Sequence, residues 1–163
     1  WWGLNYYTPA RIEDDPDAPY PSHKQGAFVK SEKTDIGWEI FPSAMADLVG
    51  ELYKRYDLPD FYITENGACY NMEVEGGEVE DQPRLDYYAE HLDKVADLIA
   101  EGYPMQGYFA WSLMDNFEWA EGYKMRFGLV HVDYDTQVRT IKKSGKWYRD
   151  LALEFPKGNF TAD

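Results

Sequence analysis

The residues best equipped for chemistry in this sequence are two carboxylates, Glu65 and Glu118, an amide, Asn5, a phenol, Tyr7, and two indoles, Trp111 and Trp119. A carboxylate accepts hydrogen bonds through both oxygens, or attacks an electrophilic carbon when it is left ionised. Phenol and indole rings offer a flat apolar face with one polar edge. Gathered on one rim, such a set suits a polyhydroxylated ligand that also has an apolar face. Each of the six falls at the end of a short β-rich run or on the loop after it, where parallel α/β proteins build their sites. His23, His91 and His131 show no metal-ligand spacing, and Cys69 has no base beside it. None of them is given a role.

Strands and helices in alternation must position that rim. Trp1 to Tyr7 (WWGLNYY) reads as a buried strand with Asn5 and Tyr7 on one face, and Thr8 to Thr34, rich in Pro, Asp, Lys and Ser, as a long excursion. Pro42 opens a helix at the favoured first position. Its apolar face is Met45, Leu48, Val49, Leu52, Tyr53 and Tyr56, and it stops before Pro59. Phe61 to Thr64 is apolar without alternation, as in a strand buried on both faces. A solvated loop, Glu73 to Asp81, leads to a second helix marked by Leu85, Tyr88, Leu92, Val95 and Ile99 and closed by Gly102. Gln106 to Ser112 is a third strand, Leu113 to Phe127 a loop and Gly128 to Tyr134 a further extended run. Ser144 can cap a last helix through Trp147, Tyr148 and Leu151. This is the rhythm of parallel βα units. An eight-unit barrel takes about 250 residues, so three units form only part of one. An open doubly wound sheet is the competing architecture, but no Gly-rich phosphate turn follows any strand.

With 163 residues, 44% of them hydrophobic, the chain has room for one ordinary core. Aromatic residues make up 17%, more than packing alone asks for, and their faces suit the C–H face of a pyranose ring. A formal net charge of −14 argues against a nucleic-acid partner, because phosphates must be neutralised by Lys and Arg in excess. One cysteine excludes an internal disulfide and points to a cytoplasmic protein. No apolar run reaches membrane-spanning length. Because residue 1 is Trp and the strand starts without a lead-in, the chain is expected to be a segment of a longer protein.

Four motifs in order carry a resemblance over essentially the whole chain: Gly3-Leu4-Asn5-Tyr6-Tyr7-Thr8, Gly37-Trp38-Glu39-Ile40, Ile63-Thr64-Glu65-Asn66-Gly67, and Ala110 to Leu129 (AWSLMDNFEWAEGYKMRFGL). The sequence resembles the C-terminal part of family 1 glycoside hydrolases of the β-glucosidase and β-galactosidase type. The fold this implies is α/β, about the last three βα units of a (β/α)8 TIM barrel, incomplete on its own. The same resemblance implies that Glu65 is the catalytic nucleophile of a retaining β-glycosidase, with Tyr7 hydrogen-bonded to it and Asn5 beside them. Trp111 is expected beneath the glycone, Glu118 on sugar hydroxyls through both oxygens, Trp119 donating its indole N–H, and Trp38 on the aglycone side. Relatives acting on 6-phospho sugars are expected to carry a small hydroxyl residue at position 118 and a Lys and a Tyr downstream. Glu118 would repel a phosphate and Phe127 stands where that Tyr would fall, so the expected glycone is unphosphorylated, although Lys124 is present.

Read singly, Trp38 and Tyr7 could equally be packing residues, and Glu118 a solvated carboxylate beside a hydrophobic plug. Retaining hydrolysis needs a second carboxyl group about 5–5.5 Å from the first. In this family it comes from an Asn-Glu-Pro motif on an earlier strand, and that tripeptide does not occur here. The expected partners are therefore a β-linked sugar and the N-terminal segment of the same barrel. No metal or cofactor is expected, and the chain alone is expected not to turn over substrate. The rival reading is a sugar-binding half-barrel that associates with itself to cover its open sheet edges.

Overall fold

The computed structural model describes residues 1–19, 23–25 and 31–154. Three strands, β1 (Trp2–Tyr6), β4 (Phe61–Asn66) and β5 (Met105–Ala110), form a parallel sheet in the order β1-β4-β5. Helices α1 (Pro42–Arg55), α2 (Gln82–Ala100) and α3 (Lys143–Glu154) follow the three strands in turn. Within the predicted excursion, β2 (Ile12–Asp14) and β3 (His23–Gln25) pair as an antiparallel ribbon. Positions 20–22 and 26–30 of that excursion lie outside the described residues. A second ribbon, absent from the sequence reading, pairs β6 (Val130–Val132) with β7 (Arg139–Ile141).

One face of the sheet is sealed. Phe61 and Ile63 of β4 and Tyr6 of β1 pack with Met45 and Val49 of α1 and with Val95 and Leu98 of α2. Trp2 stacks on Phe61 with ring centroids 5.2 Å apart. Each such side chain contributes about 1.5–3 kcal/mol by leaving water. The opposite face differs from the expectation of burial on both sides: Tyr62 and Thr64 are only half-buried, and Phe109 of β5 is 57% exposed. A barrel interior is filled by residues from all its strands, and three strands leave this wall uncovered.

The helices obey the sequence with three corrections, the first being that Leu48 and Tyr56 of the expected α1 face are 40% and 59% exposed. Pro42 opens α1, and Gly102 follows α2 with φ +90, as a C′ glycine should. The buried stripe of α2 is Arg84, Tyr87, Tyr88, His91, Val95 and Leu98, whereas the predicted Leu85 and Leu92 are half-buried and Ile99 is 48% exposed. Reading only apolar residues rotated the stripe, because two of its members are polar. Arg84 is buried in an ion pair with Asp81 while its guanidinium donates to the carbonyls of Ala68, Tyr70 and Arg126. Ser144, predicted to cap α3, lies inside the helix. Its backbone N–H and hydroxyl donate to the two oxygens of Asp81, 2.8 and 2.6 Å away, so the first turn of α3 is satisfied by an acid 63 residues earlier.

His91 is fully buried against Tyr87, ring centroids 4.0 Å apart, and Nδ1 lies 2.7 Å from the Tyr87 carbonyl. Burial pushes its pKa down to about 4, below the value near 6.5 of an unfolded chain. The unfolded state therefore binds the extra proton first, and stability contributed by neutral His91 is lost as pH falls from about 6.5 to 4. The shift corresponds to about 3 kcal/mol at most. Urea midpoints at pH 7 and pH 4.5 should differ less for His91→Phe than for the parent chain; equal pH slopes would contradict this account.

Candidate active site

The site begins with an irregularity in β4. Its register against β1 runs Leu4 to Ile63 and then Asn5 to Glu65, and against β5 Ile63 to Tyr108 and then Asn66 to Ala110. One extra residue is therefore accommodated on β4, which is a β-bulge, a device that re-aims a side chain. Phe61 and Ile63 face the helices, and Thr64 meets Asn5 on the other face through a 2.6 Å bond to Asn5 Oδ1. Strict alternation would send Glu65 back toward the helices. The bulge keeps it on the open face and turns Asn66 inward instead.

Glu65 is half-buried, and the Tyr7 hydroxyl donates to its Oε2 at 2.6 Å. Burial, this hydrogen bond and the negative charges of Glu65 and Glu118 push the Tyr7 pKa far up, so the phenol remains a donor. Around it, the Tyr7 ring lies 5.3 Å from Trp38 and 6.2 Å, edge-on, from Phe127, and Trp38 and Phe127 are 5.8 Å apart. Phe127 is 1% exposed, so it supports Tyr7 and Trp38 from below and offers no surface of its own. Trp38 is held from the other side. Arg11 grips the buried Glu39 with Nη2 at 2.6 Å and Nε at 3.0 Å, and Thr8 Oγ1 donates to the Glu39 carbonyl, so the chain after β1 is pinned to the Trp38 segment.

Glu118 lies close enough to Glu65 and Tyr7 for its charge to act on both. Its pKa is raised, chiefly by burial; a hydrogen bond from Trp111 opposes this and the charge of Glu65 adds to it. Two carboxylates and an indole donor thus lie within electrostatic reach of one another. Of the residues singled out from sequence, Tyr7, Trp38, Glu65, Trp111, Glu118 and Phe127 come together. Asn5 lies opposite Glu65 in the ladder, but it is exposed and its Oδ1 is engaged by Thr64. Trp119 stands apart, 80% exposed, with a left-handed backbone (φ 42) that costs a non-glycine residue about 1 kcal/mol. Gly67 permits the close approach of the two site-bearing segments: a Cβ there would sit 1.8 Å from the Trp111 carbonyl oxygen.

Sequence reasoning missed the groups that hold this arrangement. The loop from Leu113 to Phe127, which carries Glu118, is clamped at its base by Asp115, 3% exposed. Asp115 Oδ1 accepts from Lys142 Nζ at 2.8 Å and the Gly128 N–H at 3.0 Å, and Oδ2 accepts from Arg126 Nη1 at 2.7 Å and the Val132 N–H at 3.3 Å. Burial alone would raise its pKa, but Lys142 and Arg126 outweigh this and hold it below the usual carboxylate range. A charged residue among the apolar Leu113, Met114 and Phe117 was the available signal; nothing marked Lys142.

Residues 1–155 match the glycosyl hydrolase family 1 model. The chain belongs to glycosyl hydrolase family 1. It is 70% identical to the β-glucosidase of Agrobacterium sp. over 161 residues, which is 98% of this chain and 35% of the relative. Identity to β-glucosidase A of Thermotoga maritima is 47%, covering 91% of this chain and 33% of that protein. Among solved structures, virulence factor SghA from Agrobacterium tumefaciens superposes with a TM-score of 0.92 at 70% identity, over 96% of this chain and 35% of SghA. A Thermotoga maritima family 1 glycoside hydrolase bound to a cyclophellitol analogue superposes at 0.89 with 45% identity, over 93% and 34%. The chain spans about a third of these relatives, so the three strands and helices are part of a TIM barrel and its C-terminal portion.

Asp115→Ala should break the clamp and leave Lys142 buried without a counter-charge, at a cost of about 3–5 kcal/mol. Hydrogen exchange should then quicken across residues 113–127 before it does in β4. Unchanged protection of that loop would show that the ion cluster does not hold it.

Proposed function

We propose that this chain supplies the nucleophile side of a retaining β-glucosidase, with Glu65 attacking the anomeric carbon of an unphosphorylated β-glucoside or β-galactoside. The observation that carries the reading is the short bond from Tyr7 to Glu65 at the open end of β4. A carboxylate nucleophile must be ionised, aimed and then competent to leave, and a neutral phenol bonded to one oxygen leaves the other free to attack. As the new C–O bond forms, the bond to the aglycone oxygen breaks, and that oxygen takes a proton from a carboxylic acid. Water, deprotonated by the same group, then releases the sugar with retention. This acid/base belongs to the preceding portion of the barrel, because the chain holds no Asn-Glu-Pro and Glu118 is assigned to the sugar.

Glu118 binds vicinal hydroxyls through both oxygens, Trp111 stacks beneath the glycone, Asn5 and Trp119 supply further donors, and Trp38 faces the aglycone. The carboxylate of Glu118 and the buried Phe127 both disfavour a 6-phosphate. SghA has been solved with its substrate analog salicin, which supports salicin and p-nitrophenyl β-glucoside as first substrates to test. The lone, buried Cys69 supports a cytoplasmic setting. A second reading, a sugar-binding or self-associating half-barrel, is favoured by the bare sheet face and by Phe109 of β5 and Leu113 on the loop after it, 57% and 67% exposed.

The deciding experiment mixes the chain with the N-terminal portion of the Agrobacterium β-glucosidase, or grafts it onto that portion as a chimera. The chain alone should be inactive and the combination should hydrolyse p-nitrophenyl β-glucoside. Glu65→Gln should remove at least roughly a thousandfold of kcat; a Glu65→Gln protein within tenfold of the parent refutes the nucleophile assignment. Saturable gluconolactone binding by the chain, with no activity in any combination, selects the half-barrel.

A further inference from the structure

The bulge that leaves Glu65 on the open face sends Asn66 to the helix side, where it is fully buried. There both N–H groups of its amide and its oxygen are engaged. Nδ2 donates to the Tyr6 carbonyl at 2.7 Å and to the Tyr87 hydroxyl at 2.9 Å, while Oδ1 accepts from the Tyr108 hydroxyl. The Tyr87 hydroxyl in turn donates to the Tyr7 carbonyl at 3.4 Å. Either hydroxyl could reverse its role, but the Tyr6 carbonyl only accepts, so the orientation of the amide is fixed.

These bonds converge on one residue. The Tyr6 carbonyl belongs to the peptide plane before the Tyr7 Cα, and the Tyr7 carbonyl to the plane after it. Asn66 holds the first directly and the second through Tyr87. Tyr7 itself reaches across to Glu65, the residue covalently preceding Asn66. Both ends of the Tyr7–Glu65 bond are thereby referred to a single buried amide. The partners come from β1, β5 and α2, so the amide also ties these three elements to the end of β4.

We propose that Asn66 is a positioning residue for the reaction: from beneath the sheet it fixes the peptide planes on either side of Tyr7 and so sets the phenol onto the nucleophile. The inference rests on Glu65 being that nucleophile. A buried asparagine that only stabilised the fold would lower the amount of folded protein, and its loss would be independent of whether Tyr7 carried a hydroxyl. A positioning asparagine acts through that hydroxyl, and its effect must vanish when the hydroxyl is gone.

The test is a double-mutant cycle in the chimera with the N-terminal portion of the Agrobacterium β-glucosidase, assayed as folded protein on p-nitrophenyl β-glucoside. Tyr7→Phe should lower kcat roughly 10- to 100-fold, the range for a hydrogen bond to a charged group. Asn66→Ala should lower kcat by about tenfold or more with KM within about threefold, and the double variant should fall within about threefold of the worse single. Losses that multiply overturn the inference and leave the nucleophile assignment standing, as does full activity in Asn66→Ala. If Asn66→Ala fails to fold, Tyr87→Phe, which removes only the hydroxyl reaching the Tyr7 carbonyl, replaces it in the cycle under the same criteria. Glu65→Gln in the same chimera reads the assignment underneath: activity near the parent's in that variant overturns the assignment and this inference with it.

Discussion

The bulge in β4 governs the whole arrangement, because it holds the Glu65 carboxylate on the open face of a strand whose other face is buried. It breaks the alternation of the strand once, between Ile63 and Asn66. Upstream of it Phe61 and Ile63 serve the hydrophobic core against α1 and α2, while Tyr62 and Thr64 lie on the open face. At the bulge Glu65 is turned to the open face, and one residue later the strand returns to the interior with Asn66. The Tyr7 hydroxyl on Glu65 is the visible product of that switch.

The rest of the structure falls into supports for this point. Arg11 and Glu39 hold the Trp38 segment against Tyr7, and Phe127 fills the space beneath both. Asp115, Lys142 and Arg126 hold the base of the loop that brings Glu118 and Trp111 alongside. Arg84 ties the chain after Glu65, at Ala68 and Tyr70, to Arg126 at the base of that loop. Buried ion pairs of this kind add little net stability over well-packed apolar groups, but losing one partner is expensive. Here Arg11–Glu39 and Lys142–Asp115 join segments 28 and 27 residues apart.

Much of this was legible in the sequence, and the losses have physical causes. The apolar run Phe61 to Thr64, the Pro at the start of α1 and the Gly after α2 each carry a local signal, and each element formed where it pointed. The meeting of Tyr7 and Glu65 was legible because both residues fall at strand ends in motif order. The bulge left no mark, since it is a relation between strands and not a property of one. Asn66 stands in a motif that gives it no task of its own, because its partners Tyr6, Tyr87 and Tyr108 come from three separate elements. The α2 stripe was misplaced for a related reason: Arg84 and His91 look like surface residues until Asp81, the surrounding carbonyls and Tyr87 are in place. Ser144 bore a capping signature, yet its hydroxyl was claimed by Asp81 at the start of another helix.

The central claim is that a glycosyl group becomes bonded to the side chain of Glu65, and trapping that bond tests it most directly. The barrel completed with the Agrobacterium N-terminal portion would be treated with a 2-deoxy-2-fluoro-β-glucoside bearing a good leaving group, digested, and mapped by mass spectrometry. The account predicts one added fluoroglucosyl mass on the peptide spanning Glu65, fragmenting to place it on that residue. A label on Glu118 or on the N-terminal portion, or inactivation with no label on this chain, would contradict it.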